Sequence, residues 1–144
     1  MTLEELENSL PNGLHDAAIS DIAIDYKAKQ AKLKLEVWVG DLDSEEDEIR
    51  EAYRKGELIL SGLVYFVIEP PDPTYKYNAE DAITVGAGSA KDKIKASVQL
   101  PQDLPSDVFA YWFFVHEWNS FIHVAAKDTK LEWLEDKFQQ LTSR

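Results

Sequence analysis

Apolar and polar residues alternate along two neighbouring segments near the N-terminus and predict a pair of β-strands. The first segment covers residues 17–26, and the second follows a polar turn at 27–31. Because successive side chains of a strand point to opposite faces, each segment has one apolar and one polar face. The pair therefore predicts an antiparallel hairpin with one solvated face. In its second strand the side chains expected to face inward are Leu33, Leu35, Val37 and Val39.

Two other segments are apolar on both faces, which is typical of strands that are covered on both sides. The first covers residues 58–68, and Gly62 within it predicts a bulge or a bend where the sheet curls. The second covers 108–117 and, with the apolar segment 121–126, predicts an aromatic hairpin. Shorter apolar segments predict further strands at 83–85 and 94–100.

Three short helices are predicted from capping residues followed by apolar residues at helical spacing. The first covers residues 2–10, and the second begins at a Ser44 cap and ends at Gly56, in the position of a C-terminal glycine. The third begins at Thr129. Its apolar stripe consists of Leu131, Leu134, Phe138 and Leu141.

These elements predict a single α+β domain over residues 1–144. The fold expected is a mainly antiparallel curled sheet or open barrel of six to seven strands, with N-terminal, middle and C-terminal short helices. A two-sheet sandwich is the alternative. A chain of 144 residues is long enough to bury a core without a disulfide, and this one contains no cysteine.

The charge balance limits the classes of partner. The formal net charge is -12, so repulsion from phosphate groups argues against nucleic acids and anionic membranes. No apolar run approaches the roughly 20 residues that a membrane helix requires, and the first residues are acidic from Glu4, unlike a signal peptide. A cytoplasmic protein is expected, and a basic protein is the partner that this charge favours.

Acidic residues are densest between Asp41 and Glu51, where seven occur. The segment imitates the start of a calcium loop, but Glu46 stands where glycine is required and Ala52 where a bidentate acid is required. Calcium binding of that type is therefore rejected. The acids predicted to bind a basic partner are Asp41, Asp43, Glu45, Glu46, Asp47 and Glu48.

The three histidines are the next candidates because imidazole titrates near neutral pH and binds metals. His116 and His123 are expected to lie roughly opposite each other in the aromatic hairpin, but their spacing matches no metal signature, and no metal or other cofactor is predicted. His15 and Asp16 are adjacent, and residues that follow each other on a strand point to opposite faces, so a shared substrate is not expected.

A second set of residues predicts a pocket in the curled sheet. Glu69 follows the apolar segment 58–68. If its carboxylate is half-buried, its pKa is raised and it would serve as an acid or base, but an ion pair to Lys76 or Arg54 is the favoured interpretation. No catalytic residue is assigned. The pocket residues predicted are Tyr65, Glu69, Trp112, Phe114, His116 and His123.

The run Leu-Pro-Asn-Gly-Leu-His-Asp-Ala at 10–17 resembles the opening of small uncharacterised bacterial proteins, as does Tyr53 followed by Leu-Ile-Leu-Ser-Gly at 58–62. Some of these families resemble immunity proteins that neutralise toxins. The resemblance implies a bacterial binding protein without assigned site residues. The function expected is a non-enzymatic acidic binding protein, with a small-ligand binder or enzyme, or a homodimeric accessory protein, as alternatives.

Overall fold

Eight antiparallel strands form one sheet in the computed structural model, which describes residues 1–76, 78, 80–89 and 98–134, with 87–89 by backbone alone. Their order across the sheet is β4-β7-β6-β5-β1-β2-β3-β8. The strands are β1 (Ala17–Asp25), β2 (Gln30–Trp38), β3 (Tyr53–Ser61), β4 (Tyr65–Ile68), β5 (Ile83–Ser89), β6 (Phe109–Val115), β7 (Ser120–Ala126) and β8 (Asp128–Trp133). The described helices are α1 (Leu3–Asn8) and α2 (Asp47–Arg50).

The sheet is strongly curled. Each of its two end strands, β4 and β8, directly continues a strand that lies near the opposite end of the sheet. Strand β3 leads into β4 after residues 62–64, and β7 leads into β8 after Lys127. The same two stretches of chain pair twice, β3 with β8 and β4 with β7. At the bend, the Lys127 N–H donates to the Ser61 carbonyl at 3.0 Å, which keeps the two ladders in contact.

Gly62 is required at this bend for two reasons. Its φ of +63° lies in the left-handed region, which residues with a Cβ rarely adopt. A Cβ at this position would also lie 2.8 Å from the Cβ of Lys127, which stands between β7 and β8. The sequence prediction of a bend at Gly62 is therefore confirmed.

The inner face of the curled sheet holds the hydrophobic core. The alternating pattern of the predicted hairpin is confirmed, since the apolar side chains of β2 are buried while Lys32 and Lys34 are exposed. In β6 the buried residues are Tyr111, Phe113 and Val115, so the aromatic strand places every second side chain in the core. The largest fully buried side chains include Phe113, Leu3, Leu14, Leu33, Leu58, Leu60 and Ile122.

Helix α1 packs against this core with Leu3 and Leu6. Its predicted capping box is confirmed, because Thr2 and Glu5 exchange side-chain to backbone hydrogen bonds of 3.1 and 2.9 Å. The Glu7 carboxylate also accepts hydrogen bonds from the Tyr111 hydroxyl and from the Leu14 N–H. These contacts join the helix to β6 and to the turn before β1.

The prediction of a C-terminal helix from Thr129 is wrong at its start, because residues 128–133 form β8. Thr129 pairs with Leu60 of β3, and its hydroxyl donates to the Ile59 carbonyl at 3.1 Å instead of capping a helix. Strand pairing with β3 thus overrides the local capping pattern. The rest of the predicted stripe includes Phe138 and Leu141, which lie outside the described residues.

The middle helix is much shorter than predicted. Helix α2 has four residues, and the Ser44 hydroxyl accepts the Glu46 N–H at 3.1 Å within a turn that precedes the helix. Gly56 does not end the helix, because it lies inside β3, between Leu35 and Trp133 of the neighbouring strands. A full ladder with β2 extends β3 back to Tyr53, so that residues 53–56 are not available to a helix.

The predicted curled antiparallel sheet is confirmed, but the predicted count of six to seven strands is wrong, since eight are described. The difference comes mainly from the predicted strand 58–68, which bends and divides into β3 and β4, and from β8. The predicted strand at 83–85 is longer and reaches Ser89. Of the predicted strand 94–100, residues 94–97 lie outside the described part and residues 98–100 are not in a strand.

Truncation of the central core side chain tests this packing. Phe113→Ala is expected to lower the free energy of unfolding by about 3–5 kcal/mol, because it removes a fully buried ring and leaves a cavity. Tyr26→Ala is the matched control, since this aromatic side chain is 79% exposed. Urea unfolding measures both changes. Equal losses in the two variants would contradict the described core.

Candidate functional site

The acidic segment between β2 and β3 forms a loop whose two ends are joined by hydrogen bonds. The Val39 N–H donates to the Ala52 carbonyl at 2.9 Å, and the Asp41 N–H donates to the Ile49 carbonyl at 3.2 Å. We call residues 41–51 the acidic loop. Because its base is closed by backbone contacts, the loop extends the β2–β3 hairpin and does not hang free as a tail.

Gly40 allows the two ends of the acidic loop to approach each other. It is buried, and a Cβ at this position would lie 1.9 Å from the Arg50 carbonyl oxygen. The indole N–H of Trp38 donates to the same oxygen at 2.9 Å. The side-chain amide of Asn12 donates to the carbonyls of Trp38 and Gly40 at 3.2 and 2.9 Å. Trp38, Gly40 and Asn12 therefore form a clamp at the base of the loop.

The charge of the acidic loop is exposed to solvent. All six predicted partner-binding acids are exposed, as is Glu51. Among the described residues, Asp47 is the one acid of the loop with an ion-pair partner, which is Arg50. Seven acids and one arginine give the loop a formal charge of -6, half of the chain's -12. Two apolar side chains, Leu42 and Ile49, are also exposed here, by 63% and 41%.

Asp16 lies between two imidazoles. Its carboxylate oxygens are 3.4 Å from Nε2 of His15 and 3.7 Å from Nε2 of His116. The expectation that His15 and Asp16 point to opposite faces is wrong, because Asp16 precedes β1 and has a φ of +58°. This left-handed conformation ends the turn and brings the two neighbouring side chains together. His116 comes from the end of β6, so the three side chains join distant parts of the chain.

A surface cleft of about 220 Å³ connects Asp16 with the acidic loop. One wall comes from the loop and its base, and the other comes from the turn that carries Asp16. Both aromatic and charged side chains line it. The lining residues are Asp16, Trp38, Leu42, Arg50, Glu51 and Tyr53.

The predicted aromatic pocket residues lie on the outer face of the sheet. In the β6–β7 ladder, Trp112 pairs with His123 and Phe114 pairs with Phe121. The ring of Phe121 contacts its three neighbours, with centroids 5.5 Å from Trp112, 5.2 Å from Phe114 and 5.9 Å from His123. These rings pack against each other. The hydrophobic core fills the inner face of the sheet. The alternative function of small-ligand binding therefore stays a prediction, and its residues lie on the outer face.

His116 and His123 do not face each other, since His123 pairs with Trp112, four residues before His116. Four residues along a strand correspond to roughly 13 Å. The backbone N–H of His116 instead donates to the Thr84 carbonyl at 3.1 Å, near Asp16. No group of three metal-ligating side chains occurs in the part of the chain that the structure describes.

Glu69 and His123 form a buried pair on the outer side of β4 and β7. Oε2 of Glu69 lies 2.6 Å from Nε2 of His123, and both side chains are at most 4% exposed. The ion-pair partner that the sequence suggested for Glu69 was Lys76 or Arg54, whereas the structure shows His123. Tyr65 lies on the same face, and burial raises the pKa of its phenol. The pair joins β7 to the residue that follows β4.

The sequence reasoning missed the clamp and the cleft. Neither Asn12 nor Gly40 belongs to a sequence motif for a binding site. The one available sign was the glycine at the end of a predicted strand, which indicates close backbone approach. Trp38 was placed only as a strand residue. These residues become a site because the hairpin and the turn before β1 meet in space.

No family model matches the chain, and no curated protein or solved structure matches it either. None of the described helices is long and apolar enough to cross a membrane. The geometry of the described residues is therefore the basis for assigning a function.

The clamp is tested by adding one methyl group. Gly40→Ala is expected to lower the free energy of unfolding by about 1–3 kcal/mol, because the new Cβ collides with backbone that has to move. Gly86→Ala is the matched control, since its Cβ would meet His116 at an ordinary 3.6 Å and no other side chain among those that the structure describes. Thermal and urea unfolding measure both. If Gly86→Ala were the more damaging change, the close approach at Gly40 would be refuted.

The buried pair is tested by a double-mutant cycle. Glu69→Leu and His123→Leu are each expected to lower the free energy of unfolding by about 3–5 kcal/mol, because each removes one member of a buried ion pair. The double variant is expected to lose clearly less than the sum of the two. Urea unfolding of the four proteins gives the coupling energy. Additive losses would show that the two side chains do not act as a pair.

Proposed function

We propose that this chain is a non-enzymatic acidic binding protein that engages a basic protein partner through the acidic loop. The observation that carries the proposal is the exposure of all six predicted acids on a loop whose base is clamped. A surface that concentrates one sign of charge attracts a partner of the opposite sign and speeds its approach.

The clamp favours this function because it fixes the loop before the partner arrives. A loop that is already ordered loses less conformational entropy when it binds. The Trp38 indole and the Asn12 amide hold the loop's base through three hydrogen bonds to its backbone. The backbone that carries the acids is therefore held at its base before a partner binds.

Exposed apolar side chains within the loop add a second contribution. Leu42 and Ile49 lie among the acids, where they offer apolar contact surface that charge pairing alone lacks. Protein interfaces commonly combine a small apolar centre with a charged rim. A partner with basic residues around an apolar contact fits this surface.

An immunity role is the more specific form of this proposal. The resemblance of residues 10–17 and 58–62 to small bacterial proteins, some of them similar to immunity proteins, points to a basic toxin as the partner. In that role the acidic loop would cover a positively charged surface of the toxin. The proposal of an acidic binding surface does not depend on this identification.

The test compares two variants that remove the same amount of charge. The loop variant carries Asp43→Asn, Glu45→Gln, Glu46→Gln and Glu48→Gln, and the control variant carries Glu4→Gln, Asp21→Asn, Glu80→Gln and Asp103→Asn, all at exposed positions. Binding of a short oligolysine peptide is measured by fluorescence anisotropy at about 50 and about 300 mM salt, since surface charge pairs are screened by ions.

We expect the loop variant to lose about tenfold or more in affinity and the control variant to lose clearly less, since only the loop concentrates the charge. The affinity of the native protein is expected to fall as salt rises. Equal losses in the two variants would show that the peptide responds to net charge alone, which would refute a specific role of the loop. Salt-independent binding would refute its electrostatic basis.

A further inference from the structure

We infer that the cleft beside the acidic loop receives one arginine side chain of the basic partner. The inference rests on the proposed function and adds to it a defined subsite and a chemical preference. It is carried by the position of the cleft, its size, and the combination of carboxylates and aromatic rings that line it.

The size of the cleft suits a single side chain. Pockets that hold drug-sized ligands measure about 300–1,000 Å³, and this cleft measures about 220 Å³. It opens directly beside the exposed acids of the loop, since Leu42, Arg50 and Glu51 belong both to the loop and to its lining. A partner held by the loop therefore has this cleft within reach of its own side chains.

The lining matches the chemistry of a guanidinium group. Asp16 and Glu51 supply carboxylates, which bind the forked N–H groups of arginine. Trp38 and Tyr53 supply aromatic rings, on which a planar guanidinium stacks and to which a cation is attracted. Lysine provides a compact charge without the planar stacking surface, so arginine is the better match.

The cleft lining already contains one cation, Arg50, and other residues of the acidic loop bind its guanidinium. The guanidinium of Arg50 binds the Asp47 carboxylate and donates to the Ser44 carbonyl at 3.2 Å. These contacts hold its charge against residues 44–47 within the loop. The carbonyl of Arg50 accepts the Trp38 indole N–H, which fixes the aromatic ring of the cleft.

The carboxylate of Asp16 is held in place from several sides. The Asp16 N–H donates to the Val85 carbonyl at 2.9 Å, and the imidazoles of His15 and His116 flank its two oxygens. A carboxylate has about four lone-pair positions, so two flanking imidazoles leave positions for an incoming guanidinium. Its side chain is 46% exposed, which leaves it accessible from solvent.

The experiment compares oligolysine with the same peptide carrying one central arginine, at equal charge. On the native protein we expect the arginine peptide to bind about tenfold more tightly, as for an added bidentate charge-assisted contact with ring stacking. The NMR resonance of the Trp38 indole N–H is expected to shift with the arginine peptide and to remain nearly unchanged with oligolysine. This measurement needs no substitution in the cleft.

Two single variants locate the effect. Asp16→Asn removes the carboxylate and keeps a residue that tolerates the left-handed backbone, while Asp21→Asn removes the same charge from an exposed position of β1. The tenfold preference for arginine is expected to disappear in Asp16→Asn and to persist in Asp21→Asn.

The outcomes distinguish a failure of the arginine subsite from a failure of the proposed function. If oligolysine binds in a loop-dependent way but arginine brings no gain, or the gain survives in Asp16→Asn, the arginine subsite is overturned and the acidic binding surface stands. If the arginine peptide leaves the Trp38 indole resonance unmoved, the subsite is overturned as well. If neither peptide binds, the proposed function fails and the subsite fails with it.

Discussion

The structure depends on one bend that two paired strands make together. At Gly62 and Lys127 the ladder of β3 with β8 passes into the ladder of β4 with β7, and the chain direction changes in both partners at the same place. Without that bend, a sheet of eight strands would expose one broad apolar face to water. With it, the inner face encloses its own side chains, and α1 packs against the same core with Leu3 and Leu6.

Strands β2 and β3 connect this framework to the proposed binding surface. Their ladder continues without interruption to the pair of Trp38 and Tyr53, and the clamp at Gly40 begins where the ladder ends. The acidic loop is thus an extension of the most regular part of the sheet. Repulsion among the carboxylates of this segment, whose net charge is -6, is therefore opposed at its base by the ladder and the clamp.

Local sequence patterns predicted the elements whose long-range contacts agree with them, and they failed where strand pairing between distant segments decides the structure. The alternation in β1 and β2, the aromatic hairpin and the capping box at Thr2 were all readable from the chain. Thr129 and Gly56 were assigned to helices because their local signals are genuine, but strand pairing outweighs them. The acids of the loop were found as a run, whereas the cleft was not, because Asp16 and Trp38 meet only after folding.

The backbone conformation of Asp16 has an energetic cost. Glycine adopts a φ near +58° without strain, and a residue with a Cβ does so at an energetic disadvantage, although a smaller one for aspartate than for most. Glycine at this position would relieve the backbone strain, but it would lack the carboxylate that the two imidazoles flank. In the proposed arginine subsite, this backbone strain is the energetic cost of holding a carboxylate at the edge of the cleft.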